Sequence, residues 1–201
     1  MVSAIVLAAG RSTRMGRCKP LLPFNDWTVI EQIVSVLVES PVAEVLVITG
    51  HDHEAVEQRL AGWPVRAVFN PRYGTGEMLS SIQAGLQAAA ADAALIALGD
   101  QPALERSVVV QIVSAYEQGL GSIIFPSYQM RRGHPLLVGQ QHWADILALG
   151  EQQTLREFFK GVARGLYHVE APTASVLQDM DTPADYQRAL EDYSSRRPAN
   201  Q

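Results

Sequence analysis

Ser3-Ala4-Ile5-Val6-Leu7-Ala8-Ala9-Gly10-Arg11-Ser12-Thr13-Arg14-Met15-Gly16-Arg17-Cys18-Lys19-Pro20 is the stretch that decides how this chain folds. Ser3–Leu7 is an apolar run ending at Gly10, the signature of a buried strand. The small residues Ala8, Ala9 and Gly10 let a ligand approach the backbone closely, and the N–H groups of the loop can face anionic oxygens. Arg11, Arg14, Arg17 and Lys19 then fall within nine residues. Arg14 offers a planar fork of charge-assisted hydrogen bonds, and Lys19 a compact point charge. The loop is neither a Walker A sequence nor GxGxxG, so those mechanisms are not indicated.

Outward from this stretch, apolar runs alternate with helical patterns. Strands are predicted over Glu44–Thr49, Val65–Phe69, Ala94–Leu98 and Ser122–Phe125. Helices are predicted over Val29–Glu39, His53–Leu60, Met78–Ala90 and Glu105–Glu117. This alternation implies βαβ units: an α/β fold, a single Rossmann-like domain with a mostly parallel, mixed sheet flanked by helices. In such sheets ligands bind beyond the carboxyl ends of the strands, which directs attention to the residues following each one. After Pro126 the polar Ser127–Arg132 leads into apolar Leu136-Leu137-Val138, as for a hairpin or insertion added to the sheet. A short strand over Leu166–Val169 and a terminal helix over Pro183–Glu191 follow, with Thr182 as N-cap and Pro183 at N1. The expected domain is 1–193, with 194–201 a polar, disordered tail.

Bulk properties narrow the function. The chain has 201 residues, net charge −5, 47% hydrophobic and 18% charged residues. An acidic balance argues against nucleic-acid or anionic-membrane partners, so the local cationic cluster points to a small anionic ligand. Cys18 is the only cysteine, which excludes an intrachain disulfide. Without an apolar run long enough for a bilayer, or a charged segment before the first apolar run, the expected setting is the cytoplasm.

Four further segments carry chemistry. Leu98-Gly99-Asp100-Gln101-Pro102 ends a central strand with a carboxylate placed to bind Mg²⁺, or Mn²⁺ in its stead. Asn70-Pro71-Arg72-Tyr73-Gly74-Thr75-Gly76-Glu77-Met78-Leu79-Ser80-Ser81 follows a strand and opens the Ala-rich helix. Its competing role is a helix-capping loop. Arg132-Gly133-His134-Pro135 holds a histidine in a turn. Asp179-Met180-Asp181-Thr182-Pro183-Ala184-Asp185-Tyr186 carries two carboxylates at i, i+2 spacing, on one side if extended. One of them, with Asp181 preferred, can complete a metal shell with Asp100; the rival role is helix capping.

The first loop resembles the LAAGxSxRMGxxK signature of the molybdenum cofactor nucleotidyltransferase (MobA/MocA-like) family. Leu7, Ala8, Ala9, Gly10, Ser12, Arg14, Met15, Gly16 and Lys19 match. Gly99-Asp100-Gln101-Pro102 resembles that family's metal motif, and the terminal segment its D-x-D-T-P-x-D-Y ending. The resemblance implies a nucleotide-diphospho-sugar transferase type of fold and transfer of a nucleotide from CTP, or GTP, to a molybdopterin-type acceptor. It also implies a molybdenum apoenzyme as a further partner. It assigns Arg14, Lys19 and Asp100 to catalysis and Asp100 with Asp181 to the metal. Leu7, Ala8, Ala9, Gly10, Arg11, Ser12, Arg14, Lys19, Asn70, Gly76, Ser80 and Asp100 go to the nucleotide, and Gly133, His134 and Pro135 to the acceptor. LAAG, rather than LAGG, resembles the cytidylyltransferases; sterically, the Ala9 methyl narrows the space for a purine. One departure is Gly150-Glu151-Gln152-Gln153-Thr154-Leu155-Arg156-Glu157, where cytidylyltransferases carry G-D-x-G-A-R. Competing functions are transfer to a sugar, isoprenoid or phospholactate-type acceptor, a cofactor-binding chaperone, and an oxidoreductase.

Overall fold

The computed structural model describes residues 1–13, 15–75, 78–162 and 164–196. Arg14 and Gly76, two of the residues assigned to the nucleotide, lie outside them.

The chain opens with β1 (Val2–Ala8), whose residues are almost all buried. A 3₁₀ turn over Lys19–Leu21 precedes a small hairpin, β2 (Pro23–Phe24) and β3 (Trp27–Thr28). Then follow α1 (Val29–Val38), β4 (Glu44–Thr49), α2 (His53–Leu60), β5 (Arg66–Phe69), α3 (Met78–Ala88), β6 (Ala93–Leu98) and α4 (Arg106–Glu117). Next come β7 (Ile123–Tyr128), β8 (Arg131–Arg132), β9 (Leu136–Gly139), α5 (Trp143–Leu147), α6 (Leu155–Gly161), β10 (Leu166–Glu170) and α7 (Pro183–Arg196).

Among the described residues the main sheet has eight strands, ordered β10-β7-β9-β6-β1-β4-β5, with β8 paired to β7. β1 runs parallel to β4 and β6, β4 to β5, and β7 to β10. β9 is antiparallel to both β6 and β7. The segment after Pro126 is thus an insertion, as its pattern indicated, but it enters the middle of the sheet. β7 itself runs on to Tyr128 before turning back.

Alternation sorts the side chains into two layers. Ala4, Val6, Val45, Val47, Leu95 and Ala97 face α1, α2, α4 and the terminal helix. Ile5, Leu46, Ile48, Ala94 and Ile96 face α3, α5 and α6. The central strands are apolar on both faces for this reason, as buried parallel strands require. β5 departs from the rule: it is an edge strand, and Phe69 is 45% exposed.

The helix starts are encoded locally. Thr28 and Glu31 form a capping box at α1, and Arg59 pairs with Glu31 at 2.7 Å. Thr154 and Glu157 cap α6 in the same way, so part of the Gly150–Glu157 segment is a helix start. Thr182 and Asp185 exchange bonds at the start of α7, with Asp185 N–H donating to Thr182 Oγ1 at 3.3 Å. That helix continues to Arg196, so residues 194–196 are helical where the sequence suggested a tail. The β2–β3 hairpin has no strong pattern in the sequence. It is held because Phe24 is fully buried and packs edge-on to Tyr193 of α7 at 5.1 Å.

The seam between β1 and β6 positions the site. The chain leaves β1 towards β4 and β5 on one side and returns through β6 on the other. This is the strand-order reversal at which α/β sheets bind ligands. Gly99 N–H donates to Leu7 O at 3.0 Å. A Cβ at Gly99 would lie 2.6 Å from that same oxygen and 3.2 Å from the Ala8 Cα. We expect Gly99→Ala to lower stability by about 1–3 kcal/mol, the usual range for overpacking, measured by urea unfolding. Unchanged stability would show that the seam opens without strain.

Candidate active site

Beyond the carboxyl ends of β1 and β6 lies a cleft of about 320 Å³. Leu7, Ala8, Ala9, Gly10 and Ser12 line one side, Lys19 and Asp100 the floor, and Tyr73, Met78 and Ser81 the far wall.

The first loop is closed on itself. Ser12 adopts a left-handed φ of 50°, and its carbonyl accepts from the N–H groups of Met15 and Gly16 at 3.0 and 3.1 Å. Its hydroxyl accepts from the Lys19 N–H at 3.0 Å. This bond fixes the Lys19 backbone at the cleft floor. The Lys19 ammonium then donates to Asp100 Oδ2 at 2.9 Å and Asp181 Oδ1 at 2.8 Å. Burial pulls the Lys19 pKa down, but these two hydrogen bonds and charges outweigh it and hold the group above its ordinary 10.5.

The two terminal carboxylates are separated by this arrangement. Asp181 meets Lys19, while Asp179 accepts from Nε2 of buried Gln101 at 2.6 Å. Met180 N–H donates to Asp100 O at 3.1 Å, which ties the terminal segment to the end of β6. Two carboxylates converging on one point form a hard oxygen donor pair that suits Mg²⁺ or Mn²⁺, ions commonly held by one or two carboxylates plus substrate phosphates. Asp100 and Asp181 are the residues here that fit a divalent cation.

The other assigned residues take several positions. Arg11 is exposed and lies across the neighbouring loop, 5.9 Å from the Tyr73 ring centroid. A Cβ on Gly74 would come within 2.7 Å of the Arg11 guanidinium. Asn70 is buried and donates to Ser80 and Ser81 at 2.9 and 3.1 Å. Of the two serines, Ser81 lines the cleft, and Asn70 with Ser80 braces it from behind. Tyr73 and Met78 were not singled out in the sequence. The signal for Tyr73 was its place just after β5, at the ligand-binding end of the sheet. Burial, and then the charge of Asp52, push the Cys18 thiol up to about 11, which disfavours the thiolate.

Gly133-His134-Pro135 joins β8 to β9. Gly133 is pressed against the next segment, since a Cβ there would sit 2.2 Å from Val176 O. His134 N–H donates to Val176 O at 2.9 Å. Burial holds the His134 imidazole below its ordinary 6.5, while the charges of Asp179 and Asp100 pull the other way. His168 takes no part in the cleft; it accepts from Arg132 Nε at 2.9 Å and stacks on Phe125.

Comparison with known proteins fits this geometry. The MobA-like NTP transferase domain matches residues 4–184. The chain belongs to that family. It is 26% identical to the molybdenum cofactor cytidylyltransferase of Escherichia coli K12, over 96% of this chain and 97% of that protein. It is 33% identical to the nicotine blue oxidoreductase of Paenarthrobacter nicotinovorans, over 68% of this chain and 70% of that protein. A solved nucleotidyl transferase from a Methanothermobacter superposes with a TM-score of 0.84 at 32% identity, covering 98% of this chain and 99% of its own. This chain is therefore an enzyme of the nucleotidyltransferase type, with the fold of the nucleotide-diphospho-sugar transferases. Among the described residues no helix is long and apolar enough to cross a membrane.

The His134 environment sets a pH dependence. With its folded pKa lowered, the unfolded chain takes up this proton first as pH falls. Stability from this group is complete above about 6.5 and is lost as pH drops from there towards the folded value. Urea unfolding above and below that pH should show a shallower decline for His134→Gln than for the wild type. Parallel declines would contradict the buried, neutral imidazole.

Proposed function

We propose that this enzyme transfers CMP from CTP to the phosphate of molybdenum-bearing molybdopterin, releasing pyrophosphate and forming molybdopterin cytosine dinucleotide. The observation that carries the transfer reading is the Lys19 ammonium between Asp100 and Asp181 at the floor of a cleft lined by Ala8, Ala9, Gly10 and Ser12. A lysine and two carboxylates suit a polyphosphate and a hard cation. That chemistry favours group transfer over the redox activity in the name of the Paenarthrobacter relative.

The triphosphate lies against the amides after Gly10, with Arg14 and Lys19 taking its charge. An ionised oxygen of the acceptor phosphate attacks the α-phosphorus in line, and the bond to the pyrophosphate oxygen breaks. A phosphate monoester is already largely ionised near neutral pH, so the step needs positioning and charge stabilisation more than a strong base. Asp100 and Asp181 would hold a divalent cation, Mg²⁺ or Mn²⁺, which would supply neutralisation of the phosphate charge. His134, whose pKa burial lowers, offers a ring N–H to the acceptor near Asp100 and Asp179. Asn70 and Ser80 set the wall against which the base rests, through Ser81.

The preference for CTP comes from Ala9. Ala9 lines the cleft, and its methyl lies close enough to Gly50 that a Cβ added there would come within 2.8 Å of it. One methyl in a pocket discriminates by roughly 10–200-fold. Pyrophosphate release with a divalent ion and molybdenum-bearing molybdopterin should favour CTP over GTP within that range, and Ala9→Gly should narrow the ratio. A preference for GTP would overturn the base assignment; release with neither would overturn the acceptor. Asp100→Ala should lower turnover with CTP by on the order of 10²–10³-fold, as loss of a charge-stabilising group does. Wild-type turnover in that variant would remove Asp100 from the mechanism.

A further inference from the structure

We propose that Lys19 stands in for the divalent cation until the nucleotide arrives, so that the ion reaches Asp100 and Asp181 as the triphosphate draws the ammonium away. The inference rests on the assignment of those two carboxylates to the cation.

The ammonium occupies the point at which the carboxylates converge, 2.9 Å from one and 2.8 Å from the other. Its side chain is only 11% exposed, against 25% and 37% for Asp100 and Asp181. Two carboxylates this close to one atom repel each other unless a positive charge lies between them. A divalent ion entering beside the ammonium would contest the same oxygens against a like charge. An ammonium pushed out of this position, with no anion to receive it, would lose charge-assisted bonds in a shielded place. The two cations therefore exclude each other unless a second anion is present.

The triphosphate is that anion. The Lys19 backbone is pinned through Ser12 Oγ at 3.0 Å. Its four-carbon stem is flexible, so the head can swing while the loop stays in place. Gly10, Ser12 and Thr13 line the same cleft as Lys19, so phosphates held by their amides are within reach of a short swing. Lys19 then acts twice, first as a neutralising plug and later as a phosphate ligand. Binding of the ion and of the triphosphate is coupled, and the coupling is reciprocal.

The test is Mn²⁺ binding followed by electron paramagnetic resonance, in the wild type and in Lys19→Met, Lys19→Gln and Lys19→Arg. Without nucleotide, Lys19→Met and Lys19→Gln should bind Mn²⁺ roughly tenfold or more tightly than the wild type, a typical size for linked sites. Lys19→Arg, which keeps the charge, should stay as weak as the wild type. Adding Asp100→Asn to Lys19→Met should abolish the gain, showing that the ion sits between the carboxylates. Lys19→Gln carries a polar but uncharged head on a shorter stem and serves if the Met variant does not fold. Equal nucleotide-free affinity in the neutral variants and the wild type would overturn the inference while leaving the carboxylates as ligands, provided Mn²⁺ is retained with CTP. No protein-bound Mn²⁺ in any of them, with or without CTP, would overturn the cation assignment and this inference with it.

Discussion

The ammonium of Lys19 bonds carboxylates that come from the end of β6 and from the segment before α7, while its own backbone belongs to the loop after β1. Three segments far apart in sequence are therefore joined at one atom. Opposite charges in a shielded cleft attract strongly, and they are costly to leave alone. The arrangement constrains everything around it. The 12–19 loop must close through Ser12, β1 and β6 must meet without a side chain at Gly99, and α7 must return across α1 and the β2–β3 hairpin. Phe24 against Tyr193, and the Tyr193 hydroxyl donating to Gln32 at 3.0 Å, fasten that return.

This geometry resolves the contrast between an acidic chain and a cationic loop. A net charge of −5 keeps the surface unattractive to polyanions in general. Positive charge is concentrated in sequence in the loop whose Gly10, Ser12, Thr13 and Lys19 line the cleft, which suits a small anion by position more than by overall field. The carboxylates at the floor confine that charge to one point.

Much of this was legible in the sequence because it rests on local rules. The central strands announce themselves as apolar runs, and Glu44–Thr49 and His53–Leu60 fall at the bounds their pattern indicates. The loop motif, Asp100 and the terminal Asp pair stand at strand and helix ends, where chain direction alone places them at one end of the sheet. Features that depend on long-range packing were not legible. β9 joins the middle of the sheet because β6 and β7 leave a gap that only the whole topology defines. The hairpin at Pro23–Thr28 is held by Phe24 and α7, not by its own propensity. The distinction between Asp179 and Asp181 comes from Gln101 and Lys19, partners 78 and 162 residues away. The Cys18 thiol likewise depends on long-range contacts, since burial and Asp52 from a separate loop raise its pKa.

The most direct test of the account is a crystal structure of the protein with CTP and a divalent cation. It should place the triphosphate against the Gly10–Thr13 amides, with the Lys19 ammonium moved from Asp100 and Asp181 onto a phosphate oxygen and the cation in its place. A nucleotide bound elsewhere on the protein, or seated in the cleft with Lys19 still between the two carboxylates, would contradict it.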